Sequence, residues 1–221
     1  MSEVSMQIHP ISCGLGYAFL IESEGGLVLV DCGSPGQEKK VLAAMDALGR
    51  HDLKLIWITH AHYDHYGSAA ALHAQTGAPV GVHPADSEAL RVGRSDLGIV
   101  RGVGHLFPLG LGIAKVFVPL PPVNPEVLLE DGASLMDYGL AAQVFHTPGH
   151  TPGHSSLWLE DGTLIIGDLI GQDSRARRQT LLATDWQALE ESLARMQALK
   201  PRRVYSGHSP RAIPSEEFCN L

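Results

Sequence analysis

The chain has 221 residues, enough for one large folded unit with a substantial core, and a net charge of −8 that disfavours a nucleic-acid backbone as its main partner. Its three cysteines, Cys13, Cys32 and Cys219, are odd in number and lack CxxC spacing, which argues against a disulfide framework or a structural zinc knuckle and fits a reducing cytosol. No basic residue precedes a long apolar run at the start and no stretch nears the about 18 apolar residues of a membrane span, so a soluble cytoplasmic protein is expected.

Tyr17 to Glu22 and Leu27 to Asp31 read as strands joined by the turn Ser23-Glu24-Gly25-Gly26. The second ends in Val30-Asp31-Cys32-Gly33, so Asp31 is a carboxylate at a strand end, either supporting a site from behind or capping a turn. Gln37 to Leu48 has helical spacing at Val41, Leu42, Met45 and Leu48 and stops at Gly49. The apolar run Leu53 to Ile58 predicts a strand buried on both faces, and the alanine-rich stretch from His65 to Gln75 predicts a helix. A short strand (Val80 to Val82) and a short helix (Pro84 to Arg91) follow, and this alternation indicates a layered α/β domain.

From Gly93 to Pro125, glycines and prolines interrupt any long element, yet the segment is too apolar for a solvated linker. A substrate-covering loop, a subunit contact and ordinary packing all fit it. Strands return at Ser134 to Asp137, Leu140 to His146, Ser155 to Glu160 and Thr163 to Gly167, the last two joined by the hairpin turn Glu160-Asp161-Gly162. Thr184 with Gln187 reads as the capping box of a helix running to Lys200-Pro201, and Val204-Tyr205 as a last short strand. With no repeat, low-complexity tract or linker, a single domain over residues 1–221 is expected.

The chemistry gathers after the Leu53 to Ile58 strand, in Thr59-His60-Ala61-His62-Tyr63-Asp64-His65-Tyr66-Gly67. Open α/β sheets place their ligands at such carboxyl ends. In extended backbone His60 and His62 point the same way and can grip one ion, while Asp64 and His65 can face a second beside it. Neutral imidazoles with a hard carboxylate suit zinc, and also iron, manganese or nickel. Three later strand ends carry further candidates: His150 and His154 in His146-Thr147-Pro148-Gly149-His150-Thr151-Pro152-Gly153-His154, Asp168 after Gly167, and His208 after Gly207. Glycine beside a ligand permits a tight turn. Each motif alone is weak, but their combination in one α/β chain is specific.

These ordered motifs, Asp31, His60-x-His62-x-Asp64-His65, His150, Asp168 and His208, resemble those of the metallo-β-lactamase superfamily of binuclear hydrolases, over nearly the whole chain. The resemblance implies a four-layer αβ/βα sandwich, two mixed sheets face to face with helices on the outer faces. It implies His60, His62 and His150 on one divalent ion, Asp64, His65 and His208 on another, and Asp168 bridging them. Zinc is expected, with iron or manganese as alternatives. Asp31 and His154 are placed behind the ligands, and Asp64 and Asp168 are the carboxylates expected to act in catalysis.

The implied activity is metal-dependent hydrolysis, in which a hydroxide shared by the ions attacks an ester, thioester or lactone carbonyl. Thr147 to His154 looks like the short hydroxyacylglutathione hydrolases (glyoxalase II) and their lactonase-like kin. The stretch after Asp168 differs from theirs, and the run after His208 is too short for the C-terminal helical substrate domain of the longer glyoxalases II. Iron-dependent persulfide dioxygenases, similar at His60, His150 and Asp168, and phosphoester hydrolases are the alternatives. Arg175, Arg177 and Arg178, beyond Asp168, either clamp a substrate carboxylate or phosphate or form a solvated helix face. The expected partner is a small-molecule substrate, with no nucleic acid or membrane; homo-oligomer formation stays open.

Overall fold

The structure, a computed structural model, describes residues 6–101, 119–171 and 176–221. The chain runs β1 (Gln7–Cys13), β2 (Gly16–Ser23), β3 (Gly26–Val30), α1 (Glu38–Leu48), β4 (Leu53–Trp57), α2 (Tyr63–Tyr66), α3 (Ala69–Thr76), β5 (Val80–Val82), α4 (Pro84–Arg91) and β6 (Ile99–Val100). Then come β7 (Val127–Leu128), a 3-10 turn (Met136–Tyr138), β8 (Ala142–His146), β9 (Ser155–Leu159), β10 (Thr163–Ile165), β11 (Leu182–Ala183), α5 (Trp186–Ala198), β12 (Arg203–Tyr205), β13 (Ile213–Pro214) and α6 (Ser215–Cys219).

Six strands form one sheet in the order β1-β2-β3-β4-β5-β7, and five form a second, β13-β12-β10-β9-β8. Both are mixed: β3, β4, β5 and β7 run parallel, as do β10 and β12, while the remaining pairings are antiparallel. Successive side chains of a strand point to opposite faces, and here both faces are apolar. Phe19, Ile21, Val28, Val30, Leu55 and Trp57 pack between the sheets against Val144, Leu157, Leu159 and Ile165. Their neighbours Leu20, Leu27, Leu29 and Ile56 point outward, under Val41 and Met45 of α1 and Leu72 of α3. On the far side Leu164, Ile166 and Val204 lie under Leu189, Leu193 and Met196 of α5 and Phe218 of α6. This is the four-layer αβ/βα sandwich, with each fully buried large apolar side chain contributing about 1.5–3 kcal/mol.

One irregularity keeps β4 in phase. Leu27 pairs with Leu53, but Val28 pairs with Leu55, so Lys54 is an extra residue in the ladder. That bulge sends Leu53 to the outer layer while Leu55 and Trp57 face the inner one.

Most expected elements lie within two residues of their predicted ends, with three corrections. The strand expected over Ser134 to Asp137 is a single bridge from Ser134 to Gln143 followed by the 3-10 turn. Gly139 at φ 76° reverses the chain there, and a Cβ on it would overlap Gly25 at about 2.5 Å. The helix expected from His65 to Gln75 is two helices broken at Gly67 and Ser68, where Ser68 Oγ donates to Ser34 O at 2.7 Å and accepts from Gln37 N–H at 2.9 Å. The cap of α5 is Asp185, which accepts from the N–H groups of Gln187 and Ala188, whereas the Thr184 hydroxyl donates to Gly149 O. The sequence pattern missed β1, whose residues are nearly all exposed or half-exposed and include Pro10, and it missed the short elements β6, β7, β11, β13 and α6. Among the described residues no helix is long and apolar enough to cross a membrane.

Candidate metal centre

Strand ends from both sheets meet at one edge of the sandwich. Asp31 follows β3, the His60 to His65 loop follows β4, His150 follows β8, Asp168 follows β10 and His208 follows β12. Three sets of donor atoms each lie within 4.8 Å of one another: His60, His62 and His150; His60, His65 and Asp168; and Asp64, His65 and His208. The middle set shares a histidine with each of the others, so the seven predicted ligands form one cluster.

Each imidazole has one nitrogen held from behind. His62 Nε2 donates to Asp96 O at 2.9 Å, His150 Nδ1 to Leu182 O at 3.0 Å and His208 Nδ1 to Leu15 O at 3.0 Å. His65 Nδ1 donates to Asp31 Oδ2 at 2.8 Å. The Thr59 hydroxyl donates to Asp31 and so accepts from His60 Nδ1 at 2.9 Å. A proton fixed on the outer nitrogen leaves a lone pair on the inner one. Those inner atoms crowd together: His62 Nδ1 is 3.1 Å from His60 Nε2 and 2.9 Å from His150 Nε2. His65 Nε2 and Asp168 Oδ1, 3.4 Å apart, are buried without hydrogen-bond partners.

The electrostatics divide the cluster. Burial, with help from neighbouring imidazoles, drives His60 and His150 well below the ordinary histidine pKa, and burial lowers His62 as well. Burial thus favours the neutral form of all three, the form that a metal ligand needs. Burial also opposes charge on His65 and His208, but nearby carboxylates outweigh it; Asp168 with Asp31 raises His65 well above the ordinary value, and Asp168 raises His208. Burial works against ionisation of Asp168 too, yet His208 and His65 hold it well below the usual carboxylate range. Crowded lone pairs, orphaned buried atoms and an imidazole-carboxylate donor set fit a site for two metal ions.

The backbone allows this approach at two glycines. A Cβ on Gly207 would lie 2.6 Å from His65 Cε1 and 2.7 Å from Asp168 Oδ1, and one on Gly167, at φ 49°, would lie 2.8 Å from His154 Nε2. His154 has both nitrogens engaged within the protein. Its Nδ1 donates to Thr147 O at 3.0 Å, and its Nε2 accepts from the Asp168 N–H at 3.2 Å. Burial lowers its pKa to about 4, so it stays neutral and steadies Asp168 from behind. Asp31, at φ 56°, accepts from the Thr59 N–H, the Thr59 hydroxyl and His65, so it supports the His loop rather than merely capping a turn.

Two further residues take part without a sequence signal for it, Thr59, whose hydroxyl holds His60, and Asp96, whose carbonyl orients His62. A backbone acceptor leaves no side-chain signature. In the Gly93 to Pro125 segment, the described part packs on the site through Asp96 O and through Ser95 Oγ, which accepts from the Tyr63 N–H. Residues 102–118 of it, with His105, and Arg175 lie outside the described residues. Arg177 is exposed, with its carbonyl accepting from Gly171 N–H at 2.7 Å. Arg178 pairs with Glu190 and donates to Leu221 O, and neither arginine sits on a helix. His9 pairs with Glu22 and His51 with Asp46, His73 bonds Ala78 O, and His83 stacks on His146, all outside the donor sets.

The chain is 35% identical over 164 residues to the uncharacterized protein YobT of Bacillus subtilis, covering 73% of this chain and 62% of YobT. It is 31% identical over 177 residues to a hydroxyacylglutathione hydrolase of Pseudomonas aeruginosa, covering 79% of this chain and 54% of that one. It thus spans little more than half the length of some of the relatives it matches. Among solved structures, TTHA1623 in a di-iron-bound form is 30% identical with a TM-score of 0.72, over 94% of this chain and 95% of that chain. With the metallo-beta-lactamase superfamily pattern matched over residues 11–208, the chain belongs to that superfamily.

Proposed function

We propose that the cluster holds two divalent cations and that the protein hydrolyses a carboxylic ester, thioester or lactone. His60, His62 and His150 would hold one cation, Asp64, His65 and His208 the other, with Asp168 between them. The observation that carries this reading is the arrangement of five imidazoles, each bonded from behind and each turning its remaining nitrogen into the cluster. Zinc suits this donor set best. Iron is the second choice, favoured by the di-iron form of TTHA1623.

Such ions, when bound, supply the Lewis acidity that activates water and steadies charge developing on a carbonyl oxygen. The protein supplies placement. Asp168, whose side chain is 2% exposed, is held by its own backbone N–H on His154 and by His208 Nε2 at 3.0 Å from Oδ2. Asp64, with its side chain 18% exposed, is the carboxylate nearest solvent and the one placed to pass a proton outward. The carbonyl substrate class draws its support from the hydroxyacylglutathione hydrolases among the relatives.

The test is a panel of esters, thioesters, lactones and phosphoesters offered to metal-free protein reloaded with zinc, iron or manganese. The expected result is turnover of carbonyl substrates that a chelator abolishes. Turnover of phosphoesters alone, or oxygen uptake with a single bound iron, would overturn the assignment.

A further inference from the structure

Asp86 lies outside the ligand set, in the first turn of α4, and is only 3% exposed. Its carboxylate makes three hydrogen bonds. Oδ2 accepts from the Ala61 N–H at 2.8 Å and from the Thr151 hydroxyl at 2.7 Å, and Oδ1 accepts from the Gly153 N–H at 2.6 Å. Ala61 stands between His60 and His62, and Thr151 follows His150. One side chain therefore ties together the two loops that carry the three-histidine half of the cluster. The loops press closely on it, since a Cβ on Gly153 would lie 2.7 Å from Asp86 Oδ1.

We propose that Asp86 is a positioning residue that sets metal occupancy of the His60, His62 and His150 half and leaves the Asp64, His65 and His208 half to its own supports. The inference rests on the two-cation reading above. Its side-chain hydrogen bonds go to the first pair of loops. The second half has supports that Asp86 does not touch, Asp31 behind His65 and Leu15 O behind His208. An amide at position 86 cannot replace the carboxylate. Whichever way it is turned, its NH2 faces either the Ala61 N–H or the Gly153 N–H, donor against donor.

The test is a titration of metal-free protein with Co2+ against a competing chelator, reading the ligand-field spectrum of each binding step. Wild-type protein is expected to bind in two steps. Asp86→Asn is expected to weaken one step by about 10–100-fold, the usual scale for loss of a group supporting a ligand, and to leave the other unchanged. The shift should persist in a His208→Ala background and vanish in a His60→Ala background. Thr151→Val, nearly isosteric, should weaken the same step by less, and Thr151→Ser should restore it. This pair carries the test if Asp86→Asn does not fold. Equal weakening of both steps, or no shift in any variant, would overturn the proposal. A wild-type protein that binds one ion would overturn the two-cation reading as well, and would show this before any variant is made.

Discussion

The two halves of the cluster solve the same problem by opposite means. His60, His62 and His150 are almost fully buried, lack an acidic ligand of their own and are kept neutral by burial. Asp64, His65 and His208 mix acid with imidazole and open partly to solvent, the His208 side chain being 9% and Asp64 18% exposed. Without a cation the second half is partly compensated, because His208 Nε2 lies 3.0 Å from Asp168 Oδ2. The first half has no such outlet, and its lone pairs face one another at 2.9–3.1 Å. A buried neutral trio depends on its cation, whereas a carboxylate-paired trio is already partly compensated.

Asp168→Ala should have the largest effect, because this residue belongs to the middle donor set and touches both halves. Turnover should fall by more than about 10²–10³-fold, the scale for loss of one electrostatic stabiliser in a water-excluded site. Metal analysis should show depletion of both ions. Wild-type turnover and metal content in this variant would remove Asp168 from the centre.

Next come His60→Ala and His208→Ala, made to separate the halves. Each should leave about one ion per chain by elemental analysis, and the ion that remains should differ in its Co2+ spectrum. Identical spectra in the two variants would erase the distinction drawn here. Asp31→Asn should act on both halves more mildly, since Asp31 supports His65 directly and His60 through Thr59. Metal affinity should drop by about 10–100-fold and stability by about 1–3 kcal/mol, read by competitive titration and denaturant unfolding.

The smallest effect is expected from Thr147→Val. It removes the hydroxyl beside His154 Nδ1 but leaves the Thr147 carbonyl to hold that nitrogen. Denaturant unfolding should show a loss of about 0.5–1.5 kcal/mol, with both ions retained.

The donor residues of the cluster were more legible in the sequence than the groups behind them. His60, His62, Asp64 and His65 share one loop, and glycine turns flag His150, Asp168 and His208, so chemistry and placement were both written in residue type. The layered fold was legible for the same kind of reason, since runs such as Leu53 to Ile58 are apolar on both faces. Asp31 and His154 were legible as supports, but the others were hidden because they are backbone carbonyls, as at Asp96, Leu182 and Leu15, or polar side chains distant in sequence, as at Asp86. The half-exposed edge strand β1 lacked the apolar alternation that identifies a strand. The lost strand at Ser134 and the shifted cap at Asp185 were decided by tertiary contacts, with Gly25 and Gly149 respectively.

The most direct test is a crystal structure of metal-loaded protein with anomalous scattering recorded at the metal edge. Two peaks are expected, one among His60, His62 and His150 and one among Asp64, His65 and His208, with Asp168 between them. A single peak, or His150, Asp168 or His208 turned away from the His60 loop, would contradict it.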